Sequence, residues 1–148
     1  MNGAERALTF FRGGYNCAQS VFLAYCKDLG FTDEALALKT AAGFGAGMGR
    51  LQKTCGAVSG AIMLIGLKFG QALPDDKEAK EKTYFLVREL EKRFKAQNGT
   101  SMCSGLLGLD LLTADKEKIT EKHHTVCEKA VHDATEIVGE LLELEPRG

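Results

Sequence analysis

Apolar side chains recur along this chain at steps of three and four residues, with no stretch of sustained alternation, so the pattern predicts helices throughout. Ala18, Phe22, Tyr25 and Leu29 mark one face of a helix from Cys17 to Leu29, with Asn16 placed to cap its first turn. A shorter helix from Ala4 to Phe11 precedes it, and Gly13-Gly14 separates the two. Thr32-Asp33-Glu34 supplies a cap and first-turn acids for a helix that ends near Ala42.

The run from Gly43 to Gly49 is too rich in glycine for a helix interior and predicts a tight connection or an irregular helix end. Thr54 is the expected cap of a long helix from Cys55 to about Gly70. Pro74-Asp75-Asp76 then opens a charged helix from Asp75 to Gln97, with Tyr84, Val87, Leu90 and Phe94 as its expected buried stripe. Asn98-Gly99 stops it. A short helix from Met102 to Leu109 follows, capped by Thr100 or Ser101. The last helix starts at Asp115 or Thr120 and runs to Leu144, burying Cys127, Val131, Ala134, Val138 and Leu142. These elements make residues 1–148 one all-α domain, a bundle of about six helices with its cysteines converging on the helix core.

Composition narrows what such a bundle can do. The chain carries 19 basic and 20 acidic residues for a net charge of -1, which gives no electrostatic footprint for nucleic acid. Its longest strongly apolar run, Ala57 to Leu67, falls well short of the roughly 20 residues that cross a bilayer, so membrane insertion is not expected. The N-terminal Met1–Arg6 lacks the features of a secretory signal, and a cytoplasmic location is expected. No Walker loop is present, and the glycine run follows neither G-x-G-x-x-G spacing nor a strand, which argues against a dinucleotide fold. No serine, histidine and acid grouping emerges, and Asp75-Asp76 needs no role beyond stabilising a helix start.

What remains is sulfur. Five cysteines in a cytoplasmic domain point to metal or redox chemistry before static disulfides. Cys17, Cys55 and Cys103 each lie close to an expected helix start, where unpaired N–H groups and the helix dipole favour a thiolate. Arg50 and Lys53 stand just upstream of Cys55 and favour the same form, unless they are simply solvated. Cys127 sits inside its helix on the apolar stripe. Cys26, nine residues after Cys17, falls on the opposite face of the same helix about 13 Å along its axis, so those two cannot share a site. His123, four residues before Cys127, shares its face and is a further candidate ligand, although its charged surroundings also suit a solvated helix start. His132 lies off that stripe and is expected to be exposed.

Gly14-Tyr15-Asn16-Cys17-Ala18-Gln19-Ser20, the Gly43–Gly49 run, Thr54-Cys55-Gly56-Ala57-Val58-Ser59-Gly60-Ala61, and single Cys103 and Cys127 together resemble the redox-active four-cysteine family with the Cys-Gly-Ala-x-x-Gly motif. The resemblance covers nearly the whole chain and implies that Cys17, Cys55, Cys103 and Cys127 are the characteristic set, leaving Cys26 outside. Two chemistries stay open for these four. In one they are catalytic thiols exchanging with an unknown thiol, disulfide or electron-transfer partner, with Cys17 and Cys55 the first choice of pair because both begin helices. In the other they ligate zinc or an iron–sulfur cluster, with His123 as a weaker candidate, although the close ligand pairs usual in structural zinc sites are missing. A third reading keeps the thiols as core and makes the protein a binding or assembly module, a homodimer through its glycine-lined helix.

Overall fold

Short polar side chains that take over missing backbone partners set where several helices begin. In the computed structural model, which describes residues 1–145, α1 (Gly3–Arg12) starts from Asn2, whose side chain accepts the Glu5 N–H at 2.8 Å. The last three residues of the expected domain, 146–148, lie outside the described residues. Asn16 does the same for α2 (Cys17–Tyr25): its side-chain oxygen accepts the Gln19 N–H at 2.9 Å, and Gln19 returns a bond to the Asn16 N–H at 3.0 Å. Asp33 caps α3 (Glu34–Ala41). Each cap is worth about 1 kcal/mol to its helix.

After a single 3-10 turn, Ala42–Phe44, the glycine run winds the wrong way. Within α4 (Gly45–Gly49) and on into Arg50, five consecutive residues have positive φ: Ala46 at 56°, Gly47 at 66°, Met48 at 69°, Gly49 at 61° and Arg50 at 70°. The turn is closed by Arg50 N–H to the Ala46 carbonyl at 3.1 Å and Lys53 N–H to Gly47 at 3.0 Å. A left-handed helical turn costs an L-residue roughly 1–2 kcal/mol, and Ala46, Met48 and Arg50 bear that cost here. Such strain persists only where surrounding contacts over-determine it, and this turn lies against the cysteines.

The chain then enters α5 (Gly56–Phe69), buried along most of its length from Gly56 to Ile65 and packed on α2, α6 (Lys77–Asn98) and α9 (Glu128–Leu141). A helix apolar on all sides belongs in the middle of a bundle. Its contact with α2 is backbone-close, because a Cβ on Gly60 would stand 2.6 Å from the Ala18 carbonyl oxygen. Thr54 does not cap it. Cys55 occupies the cap position, and Thr54 is drawn instead into an antiparallel bridge with Met102, the one extended pairing among the described residues.

The buried stripe of α6 differs from the expected one. Leu86, Leu90 and Phe94 are buried and Val87 is partly so, whereas Tyr84 is 51% exposed beside Phe85. At 100° per residue Tyr84 lies about 120° around the helix from Leu90, while Leu86 and Phe94 each lie about 40° from it. Lys80 covers the Tyr84 ring, 5.7 Å from its centroid, which lets the aromatic stay at the surface. Gly99, at φ 86°, ends the helix. The short helix after it, α7, spans Cys103–Leu107, and no side chain caps it.

The expected last helix is interrupted. α8 (Lys116–Lys122) passes into a π turn, His123–Cys127, before α9 continues, and the Glu128 N–H reaches back five residues to the His123 carbonyl. Such turns are rare and cluster at functional sites. Arg12, at the end of α1, holds the junction by donating to the Glu128 carboxylate at 2.7 and 3.0 Å. Val131, Ala134, Val138 and Leu142 are buried as the stripe requires, and Cys127, half-buried, packs against the same core.

Candidate functional site

Four of the five cysteines line one cavity of about 220 Å³, and each reaches it by a different route. Cys17 is the first residue of α2, Cys55 precedes α5, Cys103 opens α7 and Cys127 closes the π turn. The backbone joins two of them. Cys55 N–H donates to the Ser101 carbonyl at 2.7 Å and Cys103 N–H to the Lys53 carbonyl at 2.7 Å, so both flank the Thr54–Met102 bridge and turn to the same side of it. They end deeply buried, at 6% and 7% exposure, while Cys17 and Cys127 are half-buried.

Glycine makes this crowding possible. A Cβ on Gly56, the residue after Cys55, would lie 3.2 Å from Cys17 Cβ and 2.9 Å from the Phe44 carbonyl oxygen. One on Gly47 would lie 2.7 Å from Cys103 Cβ and 2.6 Å from Gln52 Cα, and the left-handed φ there resists a side chain as well. The glycine run and the Cys-Gly-Ala-Val-Ser-Gly motif are thus two walls of the same sulfur-lined space.

The thiols are not alike. Cys17 is held well above the ordinary 9.0, first because its S–H donates to Cys127, then by burial and the neighbouring thiols. The same bond draws Cys127 below the ordinary value against the opposing effect of burial. Of the two, Cys127 is the sulfur whose ionisation is favoured and Cys17 the one whose ionisation is opposed. Cys55 is pushed up to about 12 by burial, which outweighs the Ala57 and Val58 N–H groups directed at it. Cys103 is raised to about 11, by burial and by the charge of Cys127, against a hydrogen bond from Gln52. The expectation that helix starts favour thiolates is therefore opposed at Cys17 first by its bond to Cys127, and at Cys55 and Cys103 by desolvation of a buried anion, which exceeds what a few N–H groups return. Cys17, moreover, has its hydrogen-bonding partner in Cys127 and not in Cys55.

Residues 15–141 match the family described as "Putative redox-active protein (C_GCAxxG_C_C)". The chain belongs to this family. No curated protein and no solved structure matches it. Family membership supports a redox role in general terms, and no helix among the described residues is long and apolar enough to cross a membrane.

In this redox-active family member the remaining candidates fall into place around the cavity or away from it. Cys26 is fully buried at the end of α2 and is not part of the lining. His123 lines the cavity, its ring stacked on Phe11 at 4.2 Å between centroids, and its pKa is lowered first by burial and then by His124. His132 is directed to Asp133 and Glu136, away from the lining, with its side chain 42% exposed. Among the described residues no group of three or more His, Cys, Asp or Glu side chains is arranged to hold a metal ion. Lys53 is exposed and outside the lining, but Arg50 is part of it. Gln52, not foreseen, ties the site together: its amide donates to the Leu109 carbonyl at 2.8 Å and accepts the Leu111 N–H at 2.9 Å, fixing the loop beyond α7. Nothing in sequence spacing distinguishes it, since its partners lie 57 and 59 residues further along the chain.

Burial of neutral thiols has a thermodynamic consequence. Cys55 ionises near 9.0 when unfolded but only at about 12 in the fold, so the folded state holds more protons between those values. Its contribution to stability is complete below pH 9 and is lost as pH rises towards 12. The melting temperature should fall over this window, and the fall should be shallower in Cys55→Ala, whatever the variant's starting stability. An equal slope in both proteins would show that Cys55 is not the source.

Proposed function

We propose that this protein is a thiol–disulfide oxidoreductase whose working pair is Cys127 and Cys17. The observation that supports the reading is that these two half-buried cysteines line one apolar cavity together, with their mutual bond raising Cys17 and lowering Cys127 from the ordinary thiol value. Thiol exchange needs one thiolate to attack and one thiol to resolve, in contact. Cys127, the less basic and half-buried sulfur, attacks one sulfur of a partner disulfide. The partner's other sulfur leaves with the electron pair and takes up a proton. Cys17 then loses its proton and attacks the Cys127 sulfur of the mixed disulfide, expelling the second partner thiolate. Two electrons pass to the partner and an internal disulfide remains. The same steps run backwards when a dithiol reduces the protein.

Cys55 and Cys103 have a supporting part in this reading. Kept neutral, they exclude a second negative charge that would oppose the Cys127 thiolate. The test is oxidation of the fully reduced protein with diamide, thiol counting and peptide mapping by mass spectrometry. Two thiols should disappear, Cys17 and Cys127 should be found linked, and dithiothreitol should restore both. A disulfide between other cysteines, or stoichiometric zinc or iron after anaerobic purification, would count decisively against the proposal.

A further inference from the structure

The walls of the cavity restrict what can meet the thiols. We infer that the exchange partner is a small organic dithiol, or its disulfide, with an apolar body and one anionic end, bound inside the cavity; this rests on the thiol–disulfide reading above. At about 220 Å³ the space lies below the roughly 300–1,000 Å³ typical of sites for drug-sized ligands, and so suits a smaller molecule. Phe11, Leu106, Leu107, Leu111, Ile119 and Val126 make most of its surface apolar. A protein disulfide would have to bring its flanking peptide groups into this apolar space, where N–H and C=O groups find few partners. An aliphatic dithiol brings none.

The charge requirement comes from Arg50. It is an exposed cation where the lining meets solvent, no Asp or Glu lines the cavity with it, and among the described residues its guanidinium has no ion-pair or hydrogen-bond partner. Its backbone is held at φ 70° by the left-handed turn, which fixes where the side chain departs. A carboxylate at the solvent end of an apolar chain seated in the cavity would be complementary to this group.

The reaction is balanced within the two molecules. Starting from the Cys17–Cys127 disulfide, a ligand thiolate attacks the Cys127 sulfur, and Cys17 leaves with the electron pair and takes a proton. The ligand's second sulfur, losing its proton, then attacks the first, closing the ligand's own disulfide and releasing Cys127 as thiolate. The ligand loses two electrons and two protons. One proton stays on Cys17 and the other goes to solvent.

Dihydrolipoate and dihydrolipoamide form a matched probe pair, identical except that one ends in a carboxylate and the other in a neutral amide. With the diamide-oxidised full-length protein, dihydrolipoate should react about three- to tenfold faster than dihydrolipoamide at low ionic strength, and both faster than reduced glutathione. The preference should shrink in high salt and vanish in Arg50→Asn, a residue that tolerates the left-handed backbone, yet persist in Arg50→Lys. Equal rates for the two lipoyl probes, or glutathione as the fastest reductant, would overturn this inference while leaving a mapped Cys17–Cys127 disulfide intact. Failure of diamide to link those two cysteines would remove the thiol pair itself, and this inference with it.

Discussion

Cys127→Ser is expected to lower the rate of thiol–disulfide exchange by more than about a hundredfold, because it removes the attacking sulfur of the proposed mechanism. Three of the four cavity thiols are raised above the ordinary 9.0, Cys17 mostly by donating to Cys127 and Cys55 and Cys103 mostly by burial. Each is therefore a poorer nucleophile than Cys127 at neutral pH in the proposed mechanism. Cys17→Ser should behave differently. The attacking sulfur survives beside a serine hydroxyl that can still donate to it, and with no resolving thiol the mixed disulfide accumulates. Intact-mass spectrometry after mixing with a small disulfide separates the two: an adduct on Cys17→Ser, located at Cys127, and little on Cys127→Ser. Cys26→Ala, altered outside the cavity, should exchange within about twofold of the unmodified protein. An adduct that forms equally well on both serine variants would move the reactive centre to Cys55 or Cys103.

Gly60→Val is expected to be strongly destabilising. Even a Cβ would stand 2.6 Å from the Ala18 carbonyl oxygen and 3.1 Å from Val21 Cβ. The first of these is backbone within α2 and cannot rotate aside, so α2 and α5 must separate. Overpacking in a closed core costs about 1–3 kcal/mol, and two further methyl groups against a helix backbone should place this variant at or above the top of that range. Marginal stability makes such a loss enough to leave much of the chain unfolded at moderate temperature. Gly60→Ala should lie between the two proteins. Chemical denaturation midpoints measure the series, and a Gly60→Val midpoint within error of the unmodified protein would mean that the helices do not meet here.

The helical architecture was legible because its signals are local. Asn16 and Asp33 carry their caps in their own side chains, and Val131, Ala134, Val138 and Leu142 repeat at helical steps. Cys26 could be set apart by the same periodicity. What stayed hidden depends on contacts between distant segments. Thr54 looks like a cap until Met102 arrives beside it, and no residue near Thr54 announces that pairing. The π turn at His123–Cys127 leaves no mark on spacing. Whether a helix-start cysteine is a thiolate depends on how much water the bundle excludes, and burial decided against Cys55 and Cys103. The Cys17–Cys127 contact, likewise, exists only once α2 and the π turn have met. Tyr84 illustrates a smaller error, since Leu86 lies closer to the line of Leu90 and Phe94 around the helix and is the residue buried there.

The left-handed turn at Ala46–Arg50 has a consequence for how this site can exist at all. Ala46, Met48 and Arg50 would relax to right-handed or extended backbone if released, carrying Gly47 away from Cys103 and Gln52 away from the loop it secures. No fragment of the chain can therefore rehearse the cavity in isolation. The sulfur cluster is a property of the finished tertiary structure, and a chain caught part-way through folding presents five ordinary cysteines instead.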